Sequence, residues 1–86
     1  MPRLIATHKV DDVAHWASSP KREEVFASVA TDIRTFVYPS RPNHVGLSMD
    51  VADMAAFQAV MESEAGAEAM RFDGVRRDTI VIYVET

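Results

Sequence analysis

The sequence predicts an α+β sandwich, a four-stranded antiparallel sheet with two helical regions packed on one face. Three observations predict it. Apolar, β-branched runs, PRLIATHKV and TIVIYVET, lie at the two ends of the chain. Two further strand-like runs, DIRTFVYPS and HVGLSMDV, are separated only by the turn-forming RPN. Helical stretches with their own capping residues fill the two remaining intervals. The order strand, helix, strand, strand, helix, strand within 86 residues is that of a ferredoxin-like βαββαβ sandwich, with 1–86 as a single domain.

Each element has its own signals. After the first strand, Asp11 or Asp12 supplies an N-cap for a helix beginning near Val13. Ser18-Ser19-Pro20 interrupts that helix, and proline at a first helical position with Glu23 and Glu24 behind it restarts one. The first helical region is therefore expected as two pieces, near 12–18 and 20–29. Pro39 ends the second strand, and His44 opens the third. Asp50 or Asp53 caps the helix DMAAFQAVMESE, where Met54, Phe57, Met61 and Ala65 recur at helical spacing. Gly66 is the expected break, followed by AEAMRFDG, with Gly74 in the left-handed closing position.

Alternation along the strands assigns the two faces of the sheet. One parity holds Leu4, Ala6, His8 and Val10, then Ile33, Thr35 and Val37, Val45, Leu47 and Met49, and Ile80, Ile82 and Val84. This mostly aliphatic set is the floor for the helices. The other holds Ile5 and Thr7, Phe36 and Tyr38, Gly46 and Ser48, Val81 and Tyr83. A face left to water in a two-layer sandwich should read polar, and this one does not. A homodimer through Ile5, Phe36, Tyr38, Val81 and Tyr83 would cover it. The alternative is an ordinary mixed surface, since over half of any protein surface is apolar.

Composition excludes several classes. The net charge is -4, and the basic pairs Lys21-Arg22 and Arg76-Arg77 are each followed by acidic residues, so they read as solvated surface. No basic face is left for nucleic acid. There is no cysteine, hence no disulfide or thiolate chemistry, which fits a reducing, cytoplasmic setting. Neither a signal peptide nor a membrane-spanning run is expected. Three glycines form no phosphate loop, so no nucleotide cofactor is expected. The three histidines lack metal-ligand spacing, so no metal is expected either.

Strand order, length and a doubly apolar sheet, with FQAVMESEAGAEAMRFDGV leading into the last strand, resemble the dimeric α/β-barrel superfamily. This group includes antibiotic-biosynthesis monooxygenases, muconolactone isomerases and stress-responsive barrel proteins. The resemblance implies a homodimer and a pocket between the helices and the sheet of each subunit. It implies fold more strongly than activity, because the superfamily hosts unrelated chemistries.

Strand parity turns His8 toward that pocket, where an imidazole can serve as an acid–base group; the other reading is a core histidine satisfied by a backbone carbonyl. Trp16 shares the inward stripe with Val13 and is read as a pocket wall or as packing. His15 projects about 100° away, toward the rim or solvent. His44, after the proline-containing turn, is read at the rim as a second substrate contact. Arg34 and Arg41 could bind a carboxylate, although exposed arginines are usually only solvated. Two functions follow. One is a cofactor-free monooxygenase, isomerase or cyclase acting on a small aromatic or polyketide-like compound, with His8 catalytic and Trp16 and His44 binding. The other is a non-catalytic module whose pocket holds a small apolar metabolite or is filled by side chains.

Overall fold

A computed structural model describes residues 2–86. The elements are β1 (Arg3–Val10), α1 (Val13–Ser18), α2 (Lys21–Phe26), β2 (Ala30–Val37), β3 (His44–Val51), α3 (Met54–Glu62), α4 (Glu64–Asp73) and β4 (Val75–Val84). The strands form one sheet in the order β2-β3-β1-β4, with every neighbouring pair antiparallel. This is the ferredoxin-like arrangement, with each helical region split into two short helices. No helix among the described residues is long and apolar enough to cross a membrane.

The caps explain where helices start. Asp12 accepts from the His15 amide at 3.2 Å, and Asp53 accepts from the Ala55 and Ala56 amides at 3.0 and 3.2 Å. Pro20 precedes α2 as its N-cap rather than forming its first residue. The second region breaks at Ser63, not at Gly66. The Ser63 hydroxyl accepts from the Gly66 amide at 3.1 Å and starts α4. Gly66 lies inside α4 because a Cβ there would stand 2.2 Å from the Val60 carbonyl oxygen, so only glycine lets α4 turn off the end of α3. Gly74 closes α4 with φ +72°, as the sequence predicts.

Two boundaries differ from expectation. α2 stops at Phe26, and the strand after it begins at Ala30, because Ala30 and Thr31 pair with Val51 and Asp50. β4 begins at Val75, directly after the Gly74 turn, since Val75 and Arg76 already pair with Val10 and Lys9. Beyond that pair the register breaks. Where β1 advances from Thr7 to Lys9, β4 runs from Val81 to Arg76, and the Lys9 amide donates to Thr79 Oγ1 at 2.9 Å instead. His8 thus has no partner on β4, and the bulge lies against the residue the sequence marks for chemistry.

The core lies between sheet and helices. Leu4, Val10, Val45, Leu47, Met49 and Val51 form its floor, and Trp16, Phe26 and Phe57 its roof. Phe26 and Phe57 stack at 5.3 Å between centroids, tying α2 to α3. The helices do not reach the end of β2. Val37, on the helix-facing parity, is 53% exposed, so the edge strand is open on both sides there.

Candidate functional site

Beneath the helices lies a small cavity of about 60 Å³, bordered by His8, Trp16, Arg22, Met61, Met70 and Asp73 among others. β1 alternation brings His8 into it, and α1 lays Trp16 over it. The two rings meet edge-on with centroids 5.7 Å apart. His8 and Trp16 are therefore brought together, as their strand and helix parities predict. His15 is exposed, and its Nε2 donates to the Phe72 carbonyl at 2.8 Å.

His44 does not join them. It sits on the opposite face of the sheet, edge-on to Tyr38 at 6.4 Å. There it borders an open groove of about 710 Å³ floored by Ile5, Thr7, Phe36 and Gly46. That hollow is far larger than the interior one, but it is the uncovered sheet face itself. Concentrated chemistry lies in the smaller space.

Two residues that sequence patterning passes over complete the interior group. Arg22, which reads as solvated surface beside Glu23 and Glu24, is only 6% exposed, and Asp73 is 3% exposed. Arg22 Nη1 donates to the Trp16 carbonyl at 2.9 Å and Nη2 to the Ala17 carbonyl at 3.4 Å. These are last-turn carbonyls of α1, the end of the helix that attracts a cation, and the Trp16 carbonyl also accepts from the Ser19 amide at 3.3 Å. The guanidinium carbon also lies 4.4 Å from the Trp16 ring centroid. Asp73 is the last residue of α4, where the helix dipole disfavours a carboxylate. Its Oδ2 stands 3.7 Å from Arg22 Nη1, close enough for charge pairing and too long for a hydrogen bond. An acidic residue directly before a helix-closing glycine was the available sequence signal. Such a residue opposes the dipole and implies a cation nearby.

Burial pushes the His8 imidazole below its ordinary value of 6.5. The Lys9 carbonyl and the Asp73 charge oppose this shift, and the Arg22 charge adds to it. With the proton on Nδ1, that nitrogen donates to the Lys9 carbonyl at 3.4 Å and leaves Nε2 as a base. The unfolded chain takes up this proton at a higher pH than the folded one. Stability from neutral His8 is therefore complete above 6.5 and is lost as pH falls below it toward the folded value. Urea unfolding at about pH 7.5 and about pH 5.5 should show wild type losing more stability than His8→Gln. Equal losses would assign the titration to other groups. Among the described residues no three His, Asp or Glu side chains converge as a metal-binding set.

This geometry is that of a ferredoxin-like sandwich, and solved structures share it end to end. A crystal structure of an antibiotic biosynthesis monooxygenase matches 100% of this chain and 97% of its own, at 17% identity and TM-score 0.66. SnoaB, a cofactor-independent oxygenase from Streptomyces nogalater, matches over 99% of this chain and 90% of its own, at 13% identity and TM-score 0.68. A conserved protein from Methanosarcina mazei Go1 matches over 99% and 92%, at 14% identity and TM-score 0.62. At such identities the likeness carries the fold alone. No protein-family sequence model matches the chain, and no curated protein sequence does.

Proposed function

We propose that two copies of this chain form a cytoplasmic homodimeric α/β barrel, and that the cavity of each subunit carries out cofactor-free chemistry on a small aromatic or polyketide-like compound. One observation carries the chemical part. A neutral imidazole, an indole and a buried ion pair converge on one cavity, in a fold shared with a cofactor-independent oxygenase. A core selected for stability alone has little use for a buried ion pair, since apolar replacements are often as stable or more so.

His8 is the proposed base, removing a proton from a phenol or enol, and Trp16 the wall against which the ring lies. Isomerisation and oxygenation of an electron-rich ring both begin with that proton transfer. The cavity as it stands has room for about two water molecules, so an aromatic ligand enters by displacing side chains. Met61 and Met70, unbranched and adaptable, border the space that must open.

The assembly part rests on the outer face. Ile5, Phe36, Tyr38, Val81 and Tyr83 are all exposed there in the single subunit. Four charges at one end of that face pair with one another. Arg3 bonds Asp50 at 2.9 Å and Asp32 at 3.1 Å, and Arg34 bonds Asp32 at 3.1 Å. The hydrogen bonds from Arg34 and Arg3 hold the Asp32 carboxyl below its ordinary range. A second copy can therefore cover that end of the face without stranding these four charges, while Lys9 lies on the same face with no ion pair among the described residues. Burying several hundred Å² per subunit would contribute on the order of 10 kcal/mol before association costs.

The test is turnover of a panel of phenols, naphthols and polyketide-like compounds by wild type and His8→Gln. The expected result is a rate at least about 100-fold lower in the variant, with the melting temperature within a few degrees of wild type. A second reading, a non-catalytic module with a filled pocket, is favoured by the 60 Å³ volume. It prevails if no compound reacts and His8→Gln only lowers stability.

A further inference from the structure

The buried ion pair has two loose ends. Among the described residues Arg22 Nε and Asp73 Oδ1 have no hydrogen-bonding partner, although both are sealed from solvent. Buried polar groups in native proteins are nearly always satisfied, so two orphans in one pair need a cause. They are opposite in sense, one a donor and one an acceptor. They arrive from different helices, Arg22 from α2 and Asp73 from the end of α4, and both residues border the same cavity.

We propose, resting on the ligand-site reading above, that Arg22 and Asp73 are a recognition dyad for the neutral hydroxycarbonyl end of the ligand. The carbonyl oxygen accepts from Arg22 Nε, and the neighbouring hydroxyl donates to Asp73 Oδ1. Three features select this chemistry. The guanidinium is held by two carbonyls and by the Trp16 face, so its Nε–H is fixed in direction. The carboxylate is loosely held, with Arg22 Nη1 3.7 Å from Oδ2, and Oδ1 keeps its full capacity to accept from a donor. The dyad carries no net charge, so a carboxylate ligand would meet Asp73 and an ammonium ligand would meet Arg22. Size fits as well. A space of about 60 Å³ takes the few atoms of one functional end, while the remainder of a larger ligand lies where Met61 and Met70 give way.

The experiment uses wild-type protein and three small probes, following the Arg22 Nε–H resonance by NMR. Hydroxyacetone presents both groups, acetone lacks the donor, and glycolate replaces the carbonyl by a carboxylate. Hydroxyacetone is expected to shift the resonance saturably in roughly the millimolar range, with acetone and glycolate about tenfold weaker. Arg22→Lys keeps the charge without Nε, and Asp73→Asn exchanges the carboxylate for an amide. Each should erase most of the discrimination, read in these variants at the indole N–H of Trp16, the only tryptophan. Equal binding of hydroxyacetone and acetone, or no shift with hydroxyacetone, would overturn the dyad. A parallel titration with 1-naphthol separates the two proposals. A shift at Trp16 with naphthol and none with hydroxyacetone overturns the dyad and leaves the aromatic-ligand reading standing. Silence with both overturns both.

Discussion

Replacing Arg22 by alanine is expected to cost about 3–5 kcal/mol of folding stability. The substitution removes the donors to the Trp16 and Ala17 carbonyls and the stack on the Trp16 ring. It also leaves Asp73, 3% exposed, as an unpaired carboxylate at the unfavourable end of α4. Total stability for a chain of this length is roughly 5–10 kcal/mol, so a large share of the variant should unfold near body temperature. Urea denaturation measures the difference directly. The double variant Arg22→Met, Asp73→Leu should recover most of the loss, because removing both charges strands neither. Recovery would show that the fold does not need the pair, which strengthens the case for a functional role. A cost below about 1 kcal/mol for Arg22→Ala would mean that the guanidinium does not hold the helix ends together.

Ile5→Asp is expected to break the proposed dimer, raising its dissociation constant at least about 100-fold, or about 3 kcal/mol. Ile5 lies on the central strand β1, between Ser48 of β3 and Tyr83 of β4, in the middle of the apolar face. Two-fold symmetry would bring the new carboxylate into the interface twice. In the separated subunit the same position is 49% exposed, so the fold itself should tolerate the charge and the circular dichroism spectrum should not change. Phe72→Asp is the control. Phe72 is equally exposed but lies on α4 beside His15 and Lys21, away from the sheet face. A dilution series by sedimentation velocity should show dissociation for Ile5→Asp and none for Phe72→Asp. Dissociation in both would point to a different interface.

Much of this architecture is legible in short-range pattern. Period-two alternation in β1 turns His8 under the helices, and the Asp12 and Asp53 caps set the helix starts that bring Trp16 and Phe57 over the sheet. The same alternation carries His44 to the open face together with Gly46 and Ser48. What stayed hidden depends on partners distant in sequence. Arg22 looks solvated beside Glu23 and Glu24 because nothing local reveals that the end of α1 and Asp73 surround it. The early start of β4 is masked by Arg76, Arg77 and Asp78, charged residues at a register break that depends on pairing with β1. Local pattern predicts that α2 runs on to residue 29. It ends sooner because Ala30 and Thr31 are held by β3, a tertiary pairing that overrides local helix propensity.

The proposed dimer covers the open sheet face with a second copy of the chain. Sedimentation equilibrium of the wild-type protein at micromolar concentration measures this most directly. The expected mass is twice the 9.6 kDa of one chain, with Phe36 and Tyr83 withdrawn from solvent. A mass of 9.6 kDa throughout, with both rings freely accessible, would contradict it.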